Sequence, residues 1–294
     1  MFYRRKIILA LLEIFDGKLE KIRLQKLLFL FSQRQAKAEY DFIPYKYGCY
    51  SYSATADLTT MVSKGQLIDD EDGLTKTDNV RYLVTLKEQD RRDLIEIKKL
   101  YGGLNSIALM KHTYLNYPYF AINSVKAPEI LSSDGLNKVN NARPKSDKTI
   151  LFTIGYEGIS LEEYLNRLIK NNVQALIDVR RNPLSMKYGF SKNLLKRFCE
   201  SVGVQYIHLP EVGIESDQRQ ELNCQADYDK LFTAYKANNL TKTTQTQATI
   251  FELLKSHQRI ALTCFESNIC QCHRKPLAEA ITARPDFNYE LKHI

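Results

Sequence analysis

Apolar residues recur at helical spacing in the first part of the chain. Ile7, Ile8, Leu11, Leu12 and Phe15 form one stripe over residues 4–15, and Gly17 follows where such a helix stops. Ile22, Leu24, Leu27, Leu28 and Phe31 repeat the pattern between Glu20 and Gln33. Pro44 and Gly48 interrupt the tyrosine-rich stretch from Phe42 to Ser53, which predicts a loop there. A third helix is expected from a Ser51 or Ser53 cap to about Lys64, with Gly65 closing it. Asp72-Gly73 then marks a hairpin turn. Helices followed by a short hairpin predict a mainly α, winged-helix-like domain over residues 1–123, with further helices over Glu88–Leu100 and Leu104–Leu115. From 124 to 147 the chain turns to Ser, Asn, Asp, Lys and Pro, the composition of a linker.

Residues 148–294 follow another rhythm. Short apolar runs at Thr149–Gly155, Gln174–Val179, Val204–Leu209, Arg259–Cys264 and Asn288–Ile294 read as strands. Helical stretches alternate with them at Leu161–Asn171, Ser191–Val202, 226–238, 247–256 and Cys272–Thr282, and Pro210–Gln225 is a long loop. Strands alternating with helices predict an α/β domain with a parallel, Rossmann-like sheet covered on both faces.

Composition adds limits. The chain has 294 residues, 44% hydrophobic and 26% charged, which suits two soluble domains. No apolar run approaches the roughly 20 residues of a membrane span. The basic and then apolar start is broken by Glu13, so it reads as an amphipathic helix and not a signal peptide. Six cysteines in so long a chain imply reduced thiols and a cytoplasmic protein. The net charge of +8 falls mostly in residues 1–150, where 24 Lys and Arg face 18 Asp and Glu. That excess is compatible with nucleic acid. The third helix carries only one lysine, however, and the hairpin tip is acidic, so a protein contact fits the first domain at least as well as DNA. The 18 tyrosines suit base stacking, although Tyr45, Tyr47, Tyr50 and Tyr52 equally suit a core.

In a parallel sheet, functional groups gather beyond the C-terminal strand ends. Four such ends here carry polar residues: Tyr156 and Glu157; Asp178, Arg180, Arg181 and then Lys187; His208 and Glu211; Cys264, Glu266, Cys272, His273 and Arg274. Arg180, Arg181, Lys187 and Arg274 suggest a phosphate or other anion site, with Arg274 in the first turn of a helix. The alternative is that Asp178 and Glu266 pair with these arginines to fix the loops. Asp178, His208 and Glu266 are the candidate catalytic groups, with His208 and a carboxylate as an acid–base pair. Cys264, Cys270, Cys272 and His273 offer thiolates and an imidazole, but adjacent ligands at 272 and 273 suit one tetrahedron poorly, so no metal and no cofactor is expected. A cysteine-phosphatase spacing, a P-loop, His-Glu-x-x-His and a dinucleotide G-x-G-x-x-G are all absent.

Five motifs in order, Thr153–Gly158, Asp178–Pro183, Gly189–Lys192, His208–Gly213 and Cys272–Arg274, resemble the domain-of-unknown-function 488 family. The family pattern has His where Tyr156 stands, and Cys270 is extra. The resemblance implies the fold and the site but no established reaction. Arg23–Leu30 and Tyr45–Gly48 are similar to the SocA-like Panacea antitoxin domain, which implies a protein-contact or regulatory module, although Cys49 departs from its Tyr-Gly-Pro pattern. The expected function is association with nucleic acid or a nucleotide, as a phosphate-binding hydrolase in defence or genome maintenance. The alternative is a non-catalytic DNA-binding regulator, or an antitoxin-like interaction protein whose α/β domain senses a small anion.

Overall fold

Helix α1 (Tyr3–Ile14) buries every residue from Ile7 to Leu12. After a turn in which Asp16 and Gly17 both adopt positive φ, the chain enters strand β1 (Lys18–Leu19). Helix α2 (Lys21–Ser32) is buried continuously from Leu24 to Ser32, as expected of a helix with apolar residues on most of its surface. These helices belong to the first of two compact units, Met1–Arg143 and Pro144–Ile294. The computed structural model describes residues 1–215 and 222–294.

The tyrosine-rich stretch is not an irregular loop. Strands β2 (Ile43–Tyr45) and β3 (Gly48–Tyr50) pair antiparallel there. Pro44 is tolerated because a two-stranded ribbon leaves its missing N–H on an outer edge. Gly48 has φ 86°, and a Cβ there would lie 2.3 Å from the Tyr114 ring. Tyr45, Tyr50 and Tyr52 pack on one another with centroids 5.0–5.7 Å apart, Tyr45 and Tyr50 being half-buried, whereas Tyr47 is exposed.

Ser51 caps helix α3 (Tyr52–Ser63) by accepting from the Ala54 N–H. Strands β4 (Leu67–Asp70) and β5 (Gly73–Lys76) then form the hairpin, and β1 joins it in an antiparallel sheet of order β1-β5-β4. The order α1-β1-α2-α3-β4-β5 is winged-helix-like, with the β2–β3 ribbon inserted. The buried side of α3 holds Asp57, whose carboxylate accepts from Arg4 Nε (2.5 Å), Arg5 Nε (2.7 Å) and Tyr40 Oη (2.9 Å). Both N-terminal arginines thus pair with one buried carboxylate, although the Arg4 side chain stays 40% exposed. At the hairpin, Lys18 pairs with Asp70 and Asp72, and Lys21 with Asp69.

Helices α4 (Glu88–Tyr101) and α5 (Ser106–Asn116) complete the main core. The stretch 124–147, expected as a linker, instead holds α6 (Ala127–Ile130) and α7 (Ser133–Ala142). Ser132 caps α7, which buries Gly135 and Val139 and leaves its polar residues outward. Gly135 lies against Leu115 and Leu131. A polar composition thus marks an amphipathic surface helix here and not a tether.

The second unit is a five-stranded sheet in which every neighbouring pair is parallel. Its strands are β6 (Ile150–Gly155), β7 (Ala175–Asp178), β8 (Gln205–His208), β9 (Arg259–Cys264) and β10 (Glu290–His293), in the order β10-β6-β9-β7-β8. Helices α8 (Leu161–Lys170), α9 (Lys192–Ser201), α10 (Gln225–Tyr235), α11 (Thr244–His257) and α12 (Arg274–Thr282) connect them. Alternate strand residues Leu151, Ile177, Ile260 and Leu262 share a core with Phe251, Leu254, Leu277 and Ile281 of α11 and α12. On the opposite face, Tyr164 of α8 donates to Thr263 Oγ1 at 2.8 Å. The long Pro210–Gln225 loop begins with a 3₁₀ turn at Pro210–Val212, and residues 216–221 of it lie outside the described residues. Among the described residues, no helix is long and apolar enough to cross a membrane.

Candidate functional site

Sheet register brings four strand ends to one level. Gly155 at the end of β6 pairs with Cys264 at the end of β9, and Asp178 at the end of β7 pairs with both Thr263 and His208. Two close backbone approaches bind the loops beyond these ends. A Cβ on Gly155 would sit 2.0 Å from the Glu266 carbonyl oxygen, and one on Gly213 would sit 2.3 Å from the Arg181 nitrogen.

Asp178 is fully buried, and its carboxylate is saturated. It accepts from Arg180 Nε at 2.8 Å, Arg180 Nη2 at 2.5 Å, the Arg180 backbone N–H at 3.1 Å and Tyr206 Oη at 2.6 Å. Arg180 Nη1 donates to Tyr156 Oη and to the Phe190 carbonyl, both at 2.8 Å. Burial pulls the guanidinium pKa down, but Asp178 more than offsets it and holds the net value above the ordinary one. The same carboxylate adds to desolvation in raising the Tyr206 phenol. Asp178 is thus buried among internal donors, and Nε, Nη1 and Nη2 of Arg180 all donate within the protein. This geometry fits the alternative in which the pair fixes the loops.

Arg274 is also buried, at 1% exposure. Its Nε donates to Cys272 Sγ at 3.0 Å and its Nη2 to the Glu266 carbonyl. It too is bonded to the loop through Nε and Nη2. Arg181 and Lys187 are the cations of the expected set that reach solvent. Arg181 is exposed and pairs with Glu215 at 2.7 Å. Lys187 is half-buried, with Nζ on the Tyr156 carbonyl at 2.6 Å, and it makes no ion pair among the described residues. Desolvation lowers its pKa, with Glu157 and Glu163 acting in the opposite direction.

His208 Nε2 faces the Arg180 carbonyl at 2.9 Å, Glu211 is exposed on the 3₁₀ turn, and Glu266 engages Arg274 through its backbone. Glu157 accepts from the Ser267 N–H and hydroxyl, both at 3.0 Å, which ties the first loop to the fourth. Tyr156 is buried and stacks on Phe190 at 4.2 Å. Cys264, Cys272 and His273 are all buried, and their ligand atoms lie within 4.8 Å of one another.

Sequence reasoning missed the side chains that this edge exposes. Met186 is fully exposed, Leu184 is 75% exposed, and Tyr188 and Phe265 are each more than 40% exposed. The signal was present: a Pro183-to-Gly189 loop is too short to bury its own leucine, methionine and tyrosine. Phe265 meets the Tyr156 ring edge-on at 5.3 Å, and the Tyr156 carbonyl accepts from Lys187.

Residues 160–281 match the family described as Domain of unknown function DUF488. The match lies within the second unit and covers the motifs from Asp178 to Arg274, while Thr153–Gly158 precedes it. The DUF488 match thus spans the helices and strands that present the β7, β8 and β9 ends. Nothing supports the SocA-like resemblance expected for the first unit. No curated protein matches the chain.

Proposed function

We propose that the second unit binds a phosphate-bearing ligand, a nucleotide or a single-stranded nucleic acid, at the C-terminal edge of its sheet. The observation that carries this reading is Lys187: a half-desolvated ammonium without an ion pair among the described residues, held on the Tyr156 carbonyl and over the Phe190 ring, in a unit whose strand-end loops also carry the exposed rings of Tyr188 and Phe265. An ammonium supplies charge for a phosphate, and exposed rings supply faces on which bases stack. Arg181 opens the same loop, and His208 ends the neighbouring strand β8. The saturated Asp178–Arg180 pair favours a binding module over a hydrolase built on Asp178.

For the first unit, the acidic hairpin and the internal pairing of Arg4 and Arg5 favour a protein partner over DNA. Defence or genome maintenance is the setting in which such a pairing of modules would serve.

The test is anisotropy of labelled single- and double-stranded DNA and RNA against the full chain across a salt series, with a denaturing gel of the same samples. Binding that weakens with salt is expected, and Lys187→Ala should reduce the salt slope by about 1. A cleaved strand on the gel would restore the hydrolase. No binding at low salt, to nucleic acids or to free nucleotides, would overturn the reading.

A further inference from the structure

Three buried side chains below the exposed edge form a second chemical site, independent of the ligand reading above. Cys264 ends β9, and Cys272 and His273 immediately precede α12. Adjacent residues seldom aim at one point, but the backbone here changes conformation between them. Cys272 is extended (φ −126°, ψ 136°) and His273 is helical (φ −62°, ψ −14°), so their side chains converge on Cys264.

The imidazole is set as a ligand. His273 Nε2 lies 3.0 Å from the Val179 carbonyl oxygen, a contact that requires the proton on Nε2. Nδ1 is then the lone-pair nitrogen, and it lies 3.6 Å from Cys264 Sγ. Two atoms bound to one tetrahedral zinc, with Zn–S near 2.3 Å and Zn–N near 2.05 Å, stand about 3.5 Å apart. A backbone carbonyl that fixes the second ring nitrogen is the usual outer partner of a metal-bound histidine. Arg274 Nε, 3.0 Å from Cys272 Sγ, holds that sulfur in place beside the other two ligand atoms.

We propose that Cys264 Sγ, Cys272 Sγ and His273 Nδ1 bind one zinc ion. Binding forms two Zn–S bonds and one Zn–N bond and releases the two thiol protons to solvent. No electron moves, and one tetrahedral position stays open. The ion joins the end of β9 to the start of α12 and so fixes the loop 265–271 that presents Phe265. Two thiolates and an imidazole favour zinc over the oxygen-seeking magnesium and calcium.

Full-length protein expressed with added zinc should carry about one zinc per chain by elemental analysis. After chelation, cobalt(II) should restore a thiolate-to-metal charge-transfer band together with tetrahedral d–d bands. Cys264→Ser and His273→Asn should each lose the ion or weaken it at least tenfold. Cys270→Ser, at an exposed thiol outside the cluster, should keep it. Wild-type protein with neither zinc nor a cobalt thiolate band would overturn the proposal, whatever the fate of the variants. So would zinc retained undiminished by Cys264→Ser, or a Cys264–Cys272 disulfide found by mass spectrometry of protein purified without reductant.

Discussion

Replacing Asp178 by Asn separates a structural carboxylate from a catalytic one. The amide keeps the shape but removes the charge, and whichever way it turns, its NH₂ must face donors. Arg180 Nε and the Arg180 N–H approach one oxygen, and Arg180 Nη2 and Tyr206 Oη approach the other. The guanidinium, 5% exposed, would keep its charge and lose its counter-ion. Breaking one side of a buried pair costs about 3–5 kcal/mol. Removing a single hydrogen bond to the same carboxylate, by Tyr206→Phe, should cost about 1.5–3 kcal/mol.

For a unit of this size each kcal/mol lowers the midpoint by roughly 2–4 °C, so Asp178→Asn should lower it by about 10 °C. Differential scanning calorimetry of the full chain follows this, with the transition of the second unit assigned by comparison between the two variants. A midpoint for Asp178→Asn unchanged within about 2 °C, or raised, would refute the reasoning. A rise would mark a carboxylate held at a cost to stability, as catalytic groups are.

Gly155→Ala should destabilise the second unit by several kcal/mol, because its Cβ meets backbone at 2.0 Å; Gly158→Ala, with open space but φ 77°, should cost only about 1–2 kcal/mol in urea melts. Lys26 is buried with its Nζ on the Cys49 carbonyl, and burial lowers its pKa below 10.5. Lys26→Met should therefore stabilise the first unit near neutral pH by on the order of 1–4 kcal/mol, an advantage that shrinks as pH rises from the folded pKa towards 10.5 and the wild-type amine loses its charge. Asp57 loses some acidity to burial, but Arg4, Arg5 and Tyr40 outweigh this and hold its pKa below 3.8. The stability it adds is complete above pH 3.8 and lost as pH falls through the lowered value. Asp57→Asn should cost about 2–3 kcal/mol at neutral pH, and acid titrations followed by circular dichroism should converge below that window.

The sheet was legible because its strands are short apolar runs between capped amphipathic helices. Ser160, whose hydroxyl accepts from the Glu163 N–H, marks the start of α8 in the sequence as clearly as in space. The strand ends were legible for the same reason, since sheet register follows from strand limits. The β2–β3 ribbon was not. Pro44 and Gly48 are breaker residues that a two-residue turn on an edge can accommodate, and only the approach of Tyr114 to Gly48 requires that shape. Helix α7 was hidden because its apolar face is narrow and relies on Leu115 and Leu131 from elsewhere in the chain. For Arg180 and Arg274 the sequence gives type and position but not the partners that consume their donors.

That consumption explains how a motif rich in charge can leave the exposed work to its neighbours. Arg180 bonds the Phe190 carbonyl at one end of the loop 181–190 and, through Asp178, the strand from which that loop departs. Tyr156, which receives the other Nη1 proton, gives its own carbonyl to Lys187 in the middle of the loop. A buried ion pair costs desolvation and adds little net stability over an apolar substitute, so its presence requires another return. Here the return is positional: both ends and the centre of one loop are tied to the sheet, and its Leu184, Met186 and Tyr188 side chains are left exposed. In the proposed binding reading, loss of the pair should therefore weaken the binding seen by anisotropy by releasing the loop that carries Lys187.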